Sequence, residues 1–235
     1  MLRLLAALLS LALLPALALA QSSAKKDRTI WESNGFLAAH PDVKHRKLGL
    51  HWMELGRDDR AMEEFVRAAR YADKPSQAML AEMHWNGEGA AQDRARAYAW
   101  MDLAAERGYT LFVGKREAYW ADLDASERER ALAIGGELYA EFGDSIARER
   151  IAKVLDRSSR RATGSRIGAV GFVKILLFDE AITTQVDGSQ YYASHFWTPE
   201  RYFEWTDEIW QPMPLPSVEV GNPARRDAAG GRGEI

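Results

Sequence analysis

Few residues in this chain are spaced to do chemistry. Five histidines, His40, His45, His51, His84 and His195, include no HExxH and no other close ligand pair at helical spacing. His51 and His84 occupy corresponding places in two helical segments and could face one another. Two ring nitrogens without an obvious carboxylate third ligand make a poor zinc or copper site, so no metal is assigned. The pairs Asp58-Asp59 and Glu63-Glu64 lie among arginines on a polar helix face, where solvated surface is the default reading. No nucleophile elbow is present, and order alone assembles no Ser-His-Asp set. Gly87-x-Gly89 invites comparison with a phosphate loop. Such a loop follows a strand and adds a Lys-Ser/Thr or a third glycine before a helix; here a helix precedes and neither companion is present. No catalytic residue and no cofactor is assigned.

The absence of cysteine removes lipoprotein attachment, disulfides, thiol catalysis and thiolate metal sites together. The first 20 residues, MLRLLAALLSLALLPALALA, read as a signal peptide: Arg3, an apolar run from Leu4 to Leu14, Pro15, and Ala18-Leu19-Ala20 as the cleavage site. The run is shorter than the roughly 20 residues that cross a bilayer, so cleavage after Ala20 is expected, with no stable membrane anchor afterwards. Without Arg3 the mature chain has 30 basic against 34 acidic residues, a balance that gives no support for nucleic-acid binding. The segment from Arg148 to Arg166 is basic but reads as a charged helix face and linker. The lead-in QSSAKKDR and the proline- and glycine-rich stretch from Gln211 onward read as loose ends, the latter a disordered tail over 211–235.

Between them the chain repeats itself. Leu48-Gly49 and Trp52 align with Leu80-Ala81 and His84 at an offset of 32 positions; Ala61, Phe65, Ala68 and Ala69 align with Ala97, Met101, Ala104 and Ala105 at an offset of 36. The second copy therefore carries four extra residues between its halves, where Gly87 and Gly89 stand. Three- and four-residue apolar spacing makes each half an amphipathic helix, so the unit is two helices and a turn. Small residues at Gly49, Ala61 and Ala68 let the backbones approach beside Trp52 and Phe65. Asp93 is placed to N-cap the second helix of the later unit, and Gly108 to stop it.

With Gly87, Gly89, Asp93, Ala97, Trp100, Ala104, Ala105 and Gly108 in order, this segment resembles the Sel1-like repeat. Leu48, Gly49, Trp52, Ala61, Phe65 and Ala68 make the earlier unit look like its shorter relative, the tetratricopeptide repeat. His84 stands where the family has tyrosine and Ala81 where it has glycine, so that helix is expected to pack a little less closely. The resemblance spans residues 42–109. It implies that the first helix of each unit lines a concave surface, carrying Arg46, Leu50, Met53 and Glu54, then Ala78, Glu82, Trp85 and Asn86. Trp85 stands out as a large aromatic suited to a peptide or sugar surface, or to packing under the C-terminal segment.

Residues 110–162 read as capping helices for this short solenoid. TLFVGKREAYWADLD starts a third, degenerate unit; Asp124 and Glu127 form a capping box for a helix ending near Gly143; and a further helix buries Ile146, Ile151, Val154 and Leu155. Residues 163–210 change character to a small α/β segment. Two or three strands are expected, with Asp187-Gly188 as a hairpin turn, followed by a helix opened by Thr198 and Pro199 whose Tyr202, Trp205 and Ile209 or Trp210 dock on the rest of the chain.

The expected fold is mainly α: a short α-solenoid of helix-turn-helix repeats with additional capping helices and a small C-terminal β-containing segment. The expected function is that of an exported, periplasmic or secreted, non-catalytic protein that binds a protein or peptide partner or acts as a scaffold in the bacterial cell envelope. Its rivals are an envelope glycan- or peptidoglycan-binding accessory protein and, with least support, a hydrolase using His195.

Overall fold

The computed structural model describes residues 27–163, 174–178 and 183–211; the expected leader over 1–20, most of the lead-in and the expected tail from 212 lie outside the described residues. Residues 27–31 form a helical turn, so Asp27 and Arg28 are not part of a loose lead-in. Arg28 pairs with Glu32 at 3.0 Å. Helix α1 (Asn34–Ala39) follows, N-capped by Ser33, whose hydroxyl accepts from the Phe36 N–H.

The first repeat is helix α2 (Pro41–Glu54) packed antiparallel on α3 (Asp58–Ala69). Pro41 opens α2 where its missing N–H costs nothing. The pair closes tightly because Gly49 has no side chain: a Cβ there would lie 2.5 Å from the ring of Phe65, which is fully buried. Gly49→Ala is therefore expected to lower stability by about 1–3 kcal/mol, the usual cost of overpacking, measured by urea unfolding. Leu55 lies beyond the end of α2 and is 56% exposed.

The second repeat is α4 (Lys74–Asn86) with α5 (Arg94–Ala104), extended by a 3-10 turn over Ala105–Arg107. Three residues join α2 to α3 and seven join α4 to α5, which accounts for the change of offset. Gly87 caps α4 in the left-handed conformation, φ 77°, and Gly108 ends the second helix at φ 71°. Gly89 is also left-handed, and a Cβ there would meet the Asp58 carbonyl oxygen at 2.5 Å. The longer loop thus rests on the start of α3, joining the units. Asp93 caps α5 by accepting from the Arg96 N–H at 3.1 Å.

Helix α6 (Thr110–Asp122) and α7 (Ala125–Phe142) continue the stack against α5. Both halves of the Asp124/Glu127 capping box are formed. Helix α8 (Asp144–Thr163) follows without a loop. Its buried stripe is Ala147, Ile151 and Leu155, whereas Ile146, expected inside, is 40% exposed. Four-residue steps from 147 place 151 and 155 on the inner face, and Ile146 falls about 100° away.

Strands β1 (Lys174–Phe178) and β2 (Thr183–Asp187) pair antiparallel, with Lys174 opposite Asp187 and Phe178 opposite Thr183. The hairpin connection therefore lies between 178 and 183. Asp187-Gly188 is not the turn: Gly188 begins the short helix α9 (Gly188–Tyr191). Helices α10 (Ser194–Trp197) and α11 (Pro199–Trp210) complete the described chain. Thr198 precedes Pro199 as expected but makes no side-chain cap.

The C-terminal elements do not form a core of their own. Leu177, Val186, Tyr191, Phe196, Trp197 and Tyr202 share one buried cluster with Ile30, Phe36, Ala39 and Val43 from the N-terminal side and with Ile151 and Leu155 of α8. His40 sits at this junction fully buried, stacked on Phe36 at 3.6 Å, with its Nδ1 and Nε2 2.8 and 2.7 Å from the carbonyl oxygens of Phe36 and Phe196. Burial holds its pKa down to about 4, against those two hydrogen bonds.

Candidate functional site

The first helices of the three units present one continuous face. On α2 it carries Asp42, Val43, Arg46 and Leu50; on α4, Pro75, Ala78, Met79 and Glu82; on α6, Leu111, Phe112 and Lys115. Each set keeps the three- and four-residue spacing of a single helical stripe. Across this face lies α11, contributing Tyr202, Phe203, Trp205, Ile209 and Trp210, so that repeats and C-terminal helix together wall a mostly apolar cavity of about 500 Å³. That volume is in the range of small-ligand and side-chain pockets. Among the described residues this is a groove partly roofed by the chain's own helix.

Two polar anchors hold the roof. At one end the hydroxyl of Tyr202 donates to Asp42 Oδ2 at 2.5 Å, and both residues are buried. At the other, Tyr109 donates its hydroxyl to Asp207 Oδ1, Arg107 donates to the same oxygen at 3.1 Å, and Arg148 reaches Asp207 Oδ2 at 3.3 Å. Arg107 also donates to both Asp144 oxygens, at 2.6 and 2.9 Å, and to the Ala72 carbonyl at 3.1 Å. Burial opposes its charge, but Asp144 and Tyr109 outweigh that and raise its pKa. Burial likewise lifts the Tyr109 phenol, to about 12, helped by the Asp207 hydrogen bond. Beneath lies Lys74, with no exposed surface, 2.6 Å from Glu106 and 3.2 Å from Asp144. Burial lowers its pKa despite these carboxylates. Charged groups this deeply placed need their partners, so the network fixes where α11 can sit.

Four of the eight residues expected on the concave surface line this groove: Arg46, Leu50, Ala78 and Glu82. The other four, Met53, Glu54, Trp85 and Asn86, lie at the far ends of their helices and outside it. Met53 is half-buried against the repeat core and Glu54 is exposed. Trp85 packs neither outward nor under the C-terminal helix: its ring stacks on Tyr119 of α6 at 3.9 Å and 6°, and Arg94 lies 4.8 Å from the ring centre. Asn86 is exposed and its side-chain amide donates to Glu88 at 3.4 Å. Trp85→Ala should consequently cost stability, roughly 2 kcal/mol as a large-to-small change at a half-buried site. A melting temperature unchanged from the parent chain would refute that packing role.

Sequence reasoning missed Asp42, Lys74, Arg107 and Tyr109. Lys74 alone gave a signal, a lysine between Asp73 and Pro75 at a helix start; the rest depend on contacts across as many as 160 positions. His51 is exposed, whereas His84 is half-buried with its Nδ1 unpartnered, and no group of three or more potential metal ligands occurs among the described residues. His195 lies in a shallow depression with Asp27, Ser194, Glu204 and Glu208. The basic stretch of α8 is engaged locally: Arg148 pairs with Asp144 and Asp207, and Arg150 donates to the Glu141 carbonyl at 2.6 Å.

The fold of the described residues is a short helical-repeat solenoid. No family model and no curated protein matches the chain. The crystal structure of a protective antigen present in uropathogenic Escherichia coli strains, displaying an SLR fold, is similar over 57% of this chain and 27% of that one, at 19% identity and a TM-score of 0.42. The chain thus spans about a quarter of that protein's length. Among the described residues no helix is long and apolar enough to cross a membrane.

Proposed function

We propose that this chain is a non-catalytic helical-repeat protein of the cell envelope, exported by its leader, whose groove recognises a segment of a partner protein. One observation carries the reading: a side of the groove is already covered by a helix of this chain, while an apolar cavity of about 500 Å³ stays open beside it. The covering helix shows what chemistry the face accepts. Aromatic and aliphatic side chains lie on the first helices of the repeats, and acidic or hydroxyl groups meet buried cations or carboxylates at the ends. A helix or extended segment with apolar anchors is recognised in the same way. Leu50, 43% exposed at the rim, and Met79 are the contact positions the repeat spacing puts at the opening.

The glycan-binding alternative loses its main support with Trp85, which is committed to Tyr119 and Arg94. A benzophenone side chain installed at Leu50 or Met79 in cells tests the reading. Covalent protein adducts of defined mass at both positions, and none at Leu132, which is 65% exposed on α7, are expected. Equal adducts from Leu132, or none from the groove in a chain that remains folded, would contradict it.

A further inference from the structure

Among the described residues, one charged side chain on the groove's walls makes no ion pair. Each other charged side chain on its walls has an opposite partner: Arg46 with Asp73 at 2.5 Å, Lys115 with Glu82 at 2.7 Å, Lys74 with Glu106 and Asp144, Arg107 with Asp144 and Asp207. Asp42 has no ion-pair partner among the described residues. It is 4% exposed, one of its oxygens accepts from Tyr202, and the other, Oδ1, has no hydrogen-bond partner. Asp73 adds a second carboxylate nearby that already consumes Arg46, so this end of the cavity is net negative.

A buried carboxylate with a bare oxygen is costly, and the natural remedy is a donor that carries positive charge. The apolar part of the wall limits the form of that donor. Val43, Leu50, Met79 and Leu111 offer no hydrogen-bond partner to a wide planar guanidinium, which needs several acceptors at once, whereas an ammonium on an aliphatic stem needs few and keeps its methylenes on apolar surface.

Resting on the reading of the groove as a protein-recognition surface, we propose that the partner segment inserts a lysine side chain, flanked by apolar residues, with its ammonium on Asp42 Oδ1. The ammonium gives Oδ1 the donor it lacks, the stem lies along the first helices, and the neighbouring apolar side chains fill the remainder of the cavity. Specificity follows from the same geometry: a partner with an acidic residue at that place meets both Asp42 and Asp73 and is rejected.

Two probes test this on the mature chain. N-acetyl-Leu-Lys-Leu-amide is expected to bind at least tenfold more tightly than its norleucine counterpart, read by isothermal titration, and the advantage should vanish in Asp42→Asn, which keeps an acceptor for Tyr202. n-Hexylamine, a free amine of the same stem chemistry, should bind the parent chain and raise its melting temperature, while hexanoate should do neither. If hexylamine binds but the lysine peptide has no advantage over norleucine, the site takes free amines and the lysine assignment fails. Equal binding of hexylamine to Asp42→Asn, stronger binding of hexanoate, or no saturable binding of either amine overturns the proposal. In that last case protein adducts at Leu50 and Met79 would leave the groove reading standing, and their absence would remove it as well.

Discussion

Replacing Arg107 by methionine should destabilise the chain by about 3 kcal/mol and release α11 from the repeats. The Arg107 side chain is 9% exposed, and its guanidinium holds Asp144, Asp207 and the Ala72 carbonyl at once. Taking away one member of a buried charge network leaves the others desolvated and unpaired, which costs several times what the pair is worth on a surface. The loss sits at the low end of that range because Lys74 and Arg148 still approach Asp144, and Arg148 still approaches Asp207. Ala72, held at φ 64° in the left-handed region, loses the donor on its carbonyl in the same step. Denaturant unfolding of Arg107→Met, Asp207→Asn and the double variant should show strong non-additivity, since both act on one contact. Losses that simply add would mean that the roof is not held there.

Asp42→Asn should act in the opposite direction at neutral pH. Burial, with Asp73 adding to it, raises the Asp42 carboxyl from 3.8 to about 6, while the Tyr202 hydroxyl, the Val43 backbone N–H and the Arg46 charge offset part of the rise. An acid whose pKa is higher folded than unfolded binds more protons in the folded state. The stability tied to its protonated form is therefore complete below about pH 4 and is lost as pH rises through 6. A shift of about two units corresponds to roughly 3 kcal/mol. Asp42→Asn, neutral at every pH, should match the parent at pH 3.5 and exceed it by that amount above pH 7. His40 follows the reverse course: its pKa falls from 6.5 to about 4, so its contribution is complete above 6.5 and disappears below 4. Comparing variant with parent at each pH cancels the His40 contribution. That the chain keeps an acid which weakens its folded state fits a role for Asp42 in binding.

The repeats were legible because their information is local. Ala61, Phe65, Ala68 and Ala69 recur at helical spacing, Gly87 and Gly108 stand where only a left-handed residue ends a helix, and Asp124 with Glu127 writes its capping box within four residues. The docked roof was half legible: aromatic density in residues 199–210 pointed to burial, but nothing local named the surface. Asp42 and Tyr202, or Arg107 and Asp207, are brought together only by the complete fold. Where local signals misled, a second local use existed. Asp-Gly serves a hairpin turn or a helix start equally well, and at 187 and 188 the sheet register decides for the helix. The local pattern leaves Trp85 open between a binding surface and packing under the C-terminal segment because its stacking partner, Tyr119, belongs to a helix that begins 24 residues past the end of its own.

Hydrogen–deuterium exchange on residues 21–235 addresses the central claim most directly, that α11 lies packed in the groove of the repeats as its roof. Amides of 202–210 should be protected to nearly the same degree as those of α4 and α5, and Arg107→Met should release 199–210 while leaving 94–104 protected. If 202–210 exchanges at the rate of an isolated helix while the repeats stay protected, the groove has no roof and the account is wrong.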